Sequence, residues 1–213
     1  MDKLKQGFTS FFPELVSSNL KKWFEDTVKA AVIPIGKVGV TPNMLTVLGI
    51  IFAVVTAYGY TLAPANNRYL IYSGALIIVS GLLDAIDGVL ARSTGKVTRF
   101  GGFFDSVSDR YSDAIVYTGI IVAGLCDLTT GLVALFGSLL VSYARARAEM
   151  EGVKMAGIGL AERAERMTFL SFCSIAAYWW APALNYGVLI LAILAQFTVL
   201  QRIIYFKKEI ERN

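Results

Sequence analysis

The 213-residue chain contains no histidine. That absence excludes a Ser-His-Asp triad, a Cys-His dyad and any His-ligated metal site. Only two cysteines occur, Cys126 and Cys173, far apart and in apolar surroundings. They provide neither a disulfide framework nor a thiolate cage. Charge is also scarce, at 17% of residues, against about 25% in an average soluble domain. Carboxylates, arginine, lysine, tyrosine and hydroxyls remain for chemistry. Apolar residues are abundant instead: 55% of the chain, with a mean hydropathy of +0.58. This balance disfavours a soluble globule, a disordered tail and a nucleic-acid arm.

A bilayer core asks for roughly 20 mostly apolar residues per helix. Six stretches are candidate spans, some apolar over only part of that length: 44–62, 69–84, 114–125, 128–144, 167–181 and 184–204. Short connections near 63–68, 126–127 and 182–184 suit a helical hairpin bundle, and Pro64 and Pro182 break helices at two of them. The chain therefore reads as an all-α integral membrane protein, a six-helix domain over 39–213. Residues 1–38 carry charge of both signs and no run long enough to span. Phe8, Phe11, Phe12, Leu15, Leu20 and Phe24 recur at roughly helical spacing, with Lys21 and Lys22 between them. They predict an amphipathic helix on the membrane surface, with an ordinary soluble extension as the alternative. A signal peptide is not indicated.

The basic residues are distributed unevenly. With the N-terminus inside, Lys3, Lys5, Lys21, Lys22, Lys29, Lys37, Arg92, Lys96, Arg99, Arg145, Arg147, Lys154, Arg163, Arg166, Arg202, Lys207, Lys208 and Arg212 all fall on the inner side. Only Arg68 falls outside, and Arg110 lies within the third span. The bias predicts a multi-pass cell-membrane protein with both termini in the cytosol. The net charge of +4 reflects topology, and no nucleic-acid motif is present.

Acids within spans are costly and point to function. Asp84 and Asp87 are three residues apart, and Asp105, Asp109 and Asp113 follow at steps of four, so each group shares one helix face. The two groups flank a short turn, 92–99, at the cytosolic ends of consecutive antiparallel spans. Four carboxylates that close cannot all stay ionised without a counter-charge. Hard divalent cations provide one through oxygen ligands, and four aspartates could hold two. Such a pair suits phosphoryl displacement. Gly88, Gly101 and Gly102 leave room for a ligand near the backbone. Two other readings exist. The acids could cap helices by pairing with Arg92, Arg99 and Arg110, or they could line the cation path of a transporter or channel. The clustering at one membrane face and the lack of acids in the last three spans weigh against the second.

From Asp84 onward the residues spell D-x2-D-G-x2-A-R, eight residues, then G-x3-D-x3-D, at Asp84, Asp87, Gly88, Ala91, Arg92, Gly101, Asp105 and Asp109. This resembles the signature of the CDP-alcohol phosphotransferase family. Six spans, the amphipathic start and a Pro-Asn-x-Leu-Thr stretch (Pro42, Asn43, Leu45, Thr46) extend the likeness over nearly the whole chain. The resemblance implies transfer of a phosphatidyl-type group from a CDP-linked lipid to an alcohol, with release of CMP. It implies that Asp84, Asp87, Asp105 and Asp109 bind two divalent ions, Mg2+ or Mn2+. It makes Asp109 the general base and places Asn43, Gly88, Ala91, Arg92, Thr98 and Gly101 around the nucleotide. A homodimer is implied as well. Asp113, outside the signature, is expected either to support the site or to pair with a basic residue.

The acceptor is read from three later helix ends. Ser142–Glu149 reads SYARARAE, Gly159–Arg166 reads GLAERAER, and Arg202 closes the last span. Several guanidinium groups thus reach one side, a set suited to a phosphate dianion. Membrane topology alone also collects arginine there, and Glu149, Glu151, Glu162 and Glu165 could pair with it. The two stretches resemble those of phosphatidylinositol-phosphate and archaetidylinositol-phosphate synthases. By that resemblance Arg145, Arg163 or Arg166, and Arg202 surround inositol phosphate. Two departures stand out: Ala164 replaces a usual proline, and Arg145 a frequent lysine. The expected donor is CDP-diacylglycerol or CDP-archaeol and the expected acceptor inositol phosphate, with glycerol phosphate as the alternative within the family.

Overall fold

The computed structural model describes residues 38–160 and 162–212, together with Val32, Pro34 and Gly36. The expected amphipathic segment lies almost wholly outside the described residues. Six helices follow one another: α1 (Pro42–Leu62), α2 (Arg68–Ser93), α3 (Arg99–Val122), α4 (Leu128–Met150), α5 (Arg163–Ala176) and α6 (Pro182–Ile210). No strand occurs among the described residues.

Local chemistry sets several helix ends. Thr41 caps α1 by accepting a hydrogen bond from the Met44 amide, and Thr98 caps α3 by accepting one from the Gly101 amide at 2.9 Å. Each satisfies an amide that the helix leaves without a partner. Glu162 and Glu165 form a reciprocal capping box at the start of α5. Pro182 opens α6, where its missing N–H costs nothing. Gly95, at φ +66°, closes α2 while the Lys96 amide reaches back to the Ala91 carbonyl at 3.0 Å.

The helices outrun the expected apolar stretches. α2 continues past Asp84 to Ser93, α3 begins at Arg99 rather than near 114, and α4 and α6 extend to Met150 and Ile210. Helix persistence is a backbone property that polar residues do not interrupt, whereas the apolar stretch marks only hydrocarbon depth. α5 differs the other way, since it ends at Ala176. Four helices, α1, α2, α4 and α6, are long and apolar enough to cross a membrane. Their outward faces carry exposed Ile51, Val54, Phe136, Ile190 and Ile193. Such surfaces need a lipid solvent, and the chain is a multi-pass membrane protein.

α2 and α3 approach each other at their aspartate-bearing ends, where Asp84 comes within 4.8 Å of Asp105 and Asp109. α1 packs against both of them, α2 against α5, α4 against α6, α3 against α4 and α5 against α6; α2 with α3 is not a principal contact. α1 can sit between them because its buried face is small, with Thr46, Gly49, Ala53, Thr56 and Gly59 recurring every three or four residues. Serines bind the helices across these contacts. Ser73 and Ser80 of α2 donate to the Thr56 and Gly49 carbonyls of α1 at 3.2 Å each, and Ser171 and Ser174 of α5 donate to the Gly74 and Leu70 carbonyls of α2 at 2.8 Å each. A Cβ on Gly119 of α3 would lie 2.6 Å from the Cα of Ala57 in α1, so only glycine allows that approach. Gly119→Leu is therefore expected to cost about 1–3 kcal/mol through overpacking. Thermal unfolding in detergent checks this, with Gly81→Ala, where a Cβ meets nothing within 4 Å, leaving the melting temperature unchanged or raised.

Candidate active site

Five aspartates rise from two helices towards one end of the bundle. Asp84, Asp105 and Asp109 each bring a carboxylate oxygen within 4.8 Å of the others. Asp87 is not in that trio. It is buried, and one of its oxygens accepts a 2.6 Å hydrogen bond from Thr46 of α1. Thr46 thus has a specific partner that its place in the Pro-Asn-x-Leu-Thr stretch did not disclose. Asp105 Oδ1 is buried without a hydrogen-bond donor among the described residues. A buried acceptor of that kind is costly unless a cation or donor meets it. An all-carboxylate set with one orphaned oxygen fits a hard divalent ion.

Basic residues lie against these acids. Arg163, near the N-terminus of α5, places Nη1 2.8 Å from Asp109 Oδ1 and 3.3 Å from Asp84 Oδ2, while its Nε donates to Asp113 Oδ1 at 3.0 Å. Arg166, one turn on, is 1% exposed. Its Nη2 donates to Ser138 Oγ at 3.0 Å and lies 3.9 Å from Asp113 Oδ2. Ser138 Oγ in turn donates to Asp113 at 3.2 Å. Asp113 therefore pairs with two basic residues of α5, one of the two roles expected for it. Arg110 turns back to the Ser106 carbonyl at 2.6 Å and approaches Asp109 at 3.8 Å.

Two cavities meet at Asp105 of the trio. The first, about 280 Å3, is lined by Asn43, Gly88, Ala91, Arg92, Thr98 and Gly101, with Pro42, Thr46, Asp87, Val97, Gly102 and Asp105. All six residues expected around the nucleotide thus share one wall. The second, about 410 Å3, is lined by Asp84, Asp105 and Asp109 and by Arg145, Arg163, Arg166 and Arg202. All four arginines expected around an anionic acceptor share it. Asp105 belongs to both cavities. A third, more apolar cavity of about 330 Å3 opens between α1, α2, α3 and α5, and reaches Asp84.

The four arginines are bound differently. Arg145 is half-exposed and pairs with Glu149 at 2.9 Å, the exposed pairing that topology alone accounts for. Arg202 is 3% exposed. Its Nε donates to the Ile158 carbonyl at 2.9 Å and its Nη1 to the Val141 carbonyl, tying the 151–162 connection to α4 and α6. Arg163 and Arg166 face the acids. Ser138 was not picked out from the sequence, and Ser142 was named only as the first residue of the SYARARAE stretch. Their spacing of four within an otherwise apolar span was the available signal, because small hydroxyls at that spacing line helix contacts in membranes.

Comparison with known proteins follows the same outline. The model of the CDP-alcohol phosphatidyltransferase family matches residues 39–200. An archaetidylinositol phosphate synthase of Pyrococcus horikoshii is 40% identical over 188 residues, covering 86% of this chain and 95% of its own. A phosphatidylinositol phosphate synthase of Mycobacterium tuberculosis is 34% identical over 178 residues, covering 78% of this chain and 79% of its own. Crystal structures of the Mycobacterium tuberculosis phosphatidylinositol phosphate synthase superpose on this one. The form with CDP-DAG bound does so at a TM-score of 0.73 and 31% identity, covering 84% of this chain and 92% of that one. The form with manganese and citrate does so at 0.74 and 29%, covering 84% and 88%.

The buried pair offers a test of the arrangement. Arg166→Leu leaves Asp113 with Arg163 alone, and removing one partner of a buried ion pair costs about 3–5 kcal/mol. A large fall in the detergent melting temperature is expected, while Arg147→Leu, on an exposed pair with Glu151, changes it little.

Proposed function

The chain belongs to the CDP-alcohol phosphatidyltransferase family, and from that premise we propose that it transfers a phosphatidyl or archaetidyl group from a CDP-linked lipid to inositol phosphate, releasing CMP. The observation that carries this is the shared wall: Asp105 separates a cavity lined by the signature residues from one lined by four arginines. A nucleotide in the first and a phosphorylated alcohol in the second would meet across the acids. That is the arrangement an in-line displacement needs.

The reaction balances simply. The acceptor hydroxyl oxygen bonds to the lipid-side phosphorus, the bridging P–O bond of the pyrophosphate breaks, and CMP leaves with that oxygen. Asp109 takes the hydroxyl proton; with no histidine in the chain, a carboxylate beside the acceptor cavity is the available base. Asn43, Gly88, Ala91, Arg92, Thr98 and Gly101 hold the cytidine diphosphate. Asp84, Asp87, Asp105 and Asp109 hold two divalent ions, Mg2+ or Mn2+, which supply charge neutralisation for the pyrophosphate and the departing CMP. A manganese-bound relative structure and the close carboxylate trio support that assignment. Arg145, Arg163, Arg166 and Arg202 favour an acceptor that carries its own phosphate. The names of the relatives support inositol phosphate over glycerol phosphate.

In the membrane, this reading has α3 and α5 cross with the four apolar helices, making six spans. The lysine and arginine bias supports active site and termini on the cytosolic side, with residues 1–38 as a surface-lying amphipathic helix. The working unit is a homodimer.

The decisive assay is CMP release by purified protein with Mg2+ and a CDP-lipid, offered inositol phosphate, free inositol, glycerol phosphate or serine. Turnover with inositol phosphate alone is expected; turnover with glycerol phosphate alone moves the acceptor assignment. EDTA should abolish the rate and Mn2+ restore it. Asp109→Asn should reduce turnover by at least about 100-fold, the lower range of general-base contributions, while CDP-lipid binding persists. Normal turnover by that variant refutes the base assignment.

A further inference from the structure

Arg163, in the acceptor cavity, touches three aspartates, and two of these belong to the carboxylate trio. Its Nη1 lies 2.8 Å from Asp109 Oδ1 and 3.3 Å from Asp84 Oδ2. A divalent ion held by the trio draws on carboxylates of the same two residues. A guanidinium and a metal ion cannot both sit in contact with a carboxylate pair without like-charge repulsion between them. A separate contact holds the other edge of Arg163: its Nε donates to Asp113 Oδ1 at 3.0 Å. Asp113 is buried and stands one helical turn beyond Asp109. It also pairs with Arg166 and accepts from Ser138, so Arg163 is not its sole partner. Arg163 is thus tethered at Nε and held electrostatically at Nη1, and it borders the arginine-lined cavity.

We infer that Arg163 is an exchangeable counter-ion of the carboxylate trio: a divalent cation displaces Nη1 from Asp84 and Asp109, and the guanidinium, pivoting on Asp113, turns its freed edge to the phosphate of the acceptor. The inference rests on the metal assignment proposed above for Asp84, Asp105 and Asp109. It makes Arg163 a positioning residue that couples the two cavities. Metal then strengthens anion binding, and by linkage the anion strengthens metal binding by the same factor. It also explains the role of Asp113, which lies outside the signature and touches no proposed ligand, as the pivot.

The test is Mn2+ binding by the purified full-length protein in detergent, followed by electron paramagnetic resonance. Asp105→Asn comes first. It leaves Arg163 and its partners in place and should weaken Mn2+ binding strongly. Unaltered Mn2+ binding there refutes the metal assignment, and the inference falls with it. With that dependence established, Arg163→Gln should bind Mn2+ about tenfold more tightly than the wild type, the effect of deleting one competing charge-assisted hydrogen bond. An unchanged or weaker affinity overturns the counter-ion role alone. A residue that merely held the aspartates in place would give the weaker affinity. Arg163→Lys keeps the charge and decides the matter if the glutamine variant does not fold, because one ammonium nitrogen cannot stand where both Nε and Nη1 stand, and so holds Asp113 and the trio less closely than the two-edged guanidinium. Tighter Mn2+ binding is again expected, and equal or weaker binding refutes the role. Inositol phosphate is then titrated with and without Mn2+. The metal should strengthen its binding in the wild type and do so less in Arg163→Lys, whereas equal gains in the two proteins overturn the coupling.

Discussion

The structure depends on one constraint: carboxylates placed near the hydrocarbon region need positive charge close at hand. Asp113 is almost wholly buried and meets it with Arg163 and Arg166. Asp84 and Asp109 meet it in part through Arg163. These pairs explain why α5 begins at the acids and opens on two arginines one turn apart. A helix that entered the bundle elsewhere would leave the acids without partners, at a cost of several kcal/mol per ion. The Glu162–Glu165 capping box fixes where α5 starts, and so fixes the height of both guanidinium groups. The ion pairs also impose specificity, since few other helix arrangements bring Asp84, Asp109 and Asp113 to Arg163 and Arg166 at once.

Packing of the remaining helices follows from small residues. α1 sits against both α2 and α3. Its glycines, alanine and threonines admit their backbones, and serine hydroxyls supply hydrogen bonds where lipid gives helices no hydrophobic reason to associate. This arrangement delivers Thr46 to Asp87. The two acid stripes are consequently held by three helices, and one of Asp87's oxygens is spoken for while the trio's Asp105 keeps a bare one.

Much of the site was legible in the sequence because its residues are local. The signature falls on one hairpin, and helical spacing alone puts each acid stripe on a face. The six proposed nucleotide residues line one cavity, and the four arginines another. What the sequence withheld was non-local. Nothing in the spacing of Asp84 and Asp105 says that α1 packs beside both helices, that Asp87 turns to Thr46, or that Arg163 faces the acids. These depend on which helices neighbour which, and hydropathy carries no such information. The apolar stretches also understated the helices: the charged ends of α2 and α3 remain helical while carrying the chemistry.

Arg202 reaches two backbone carbonyls, those of Val141 and Ile158, rather than side chains. Main-chain oxygens are present whatever residue is there, so Arg202 can keep both bonds when the side chain changes at Val141 in α4 or at Ile158 in the 151–162 connection. The freedom is not uniform. Gly159, at φ +129°, would bring a Cβ within 2.4 Å of Thr198, so that position tolerates little else. At Ile158 the anchor is thus indifferent to the side chain, whereas at Gly159, the next residue, the backbone path leaves room for almost nothing else.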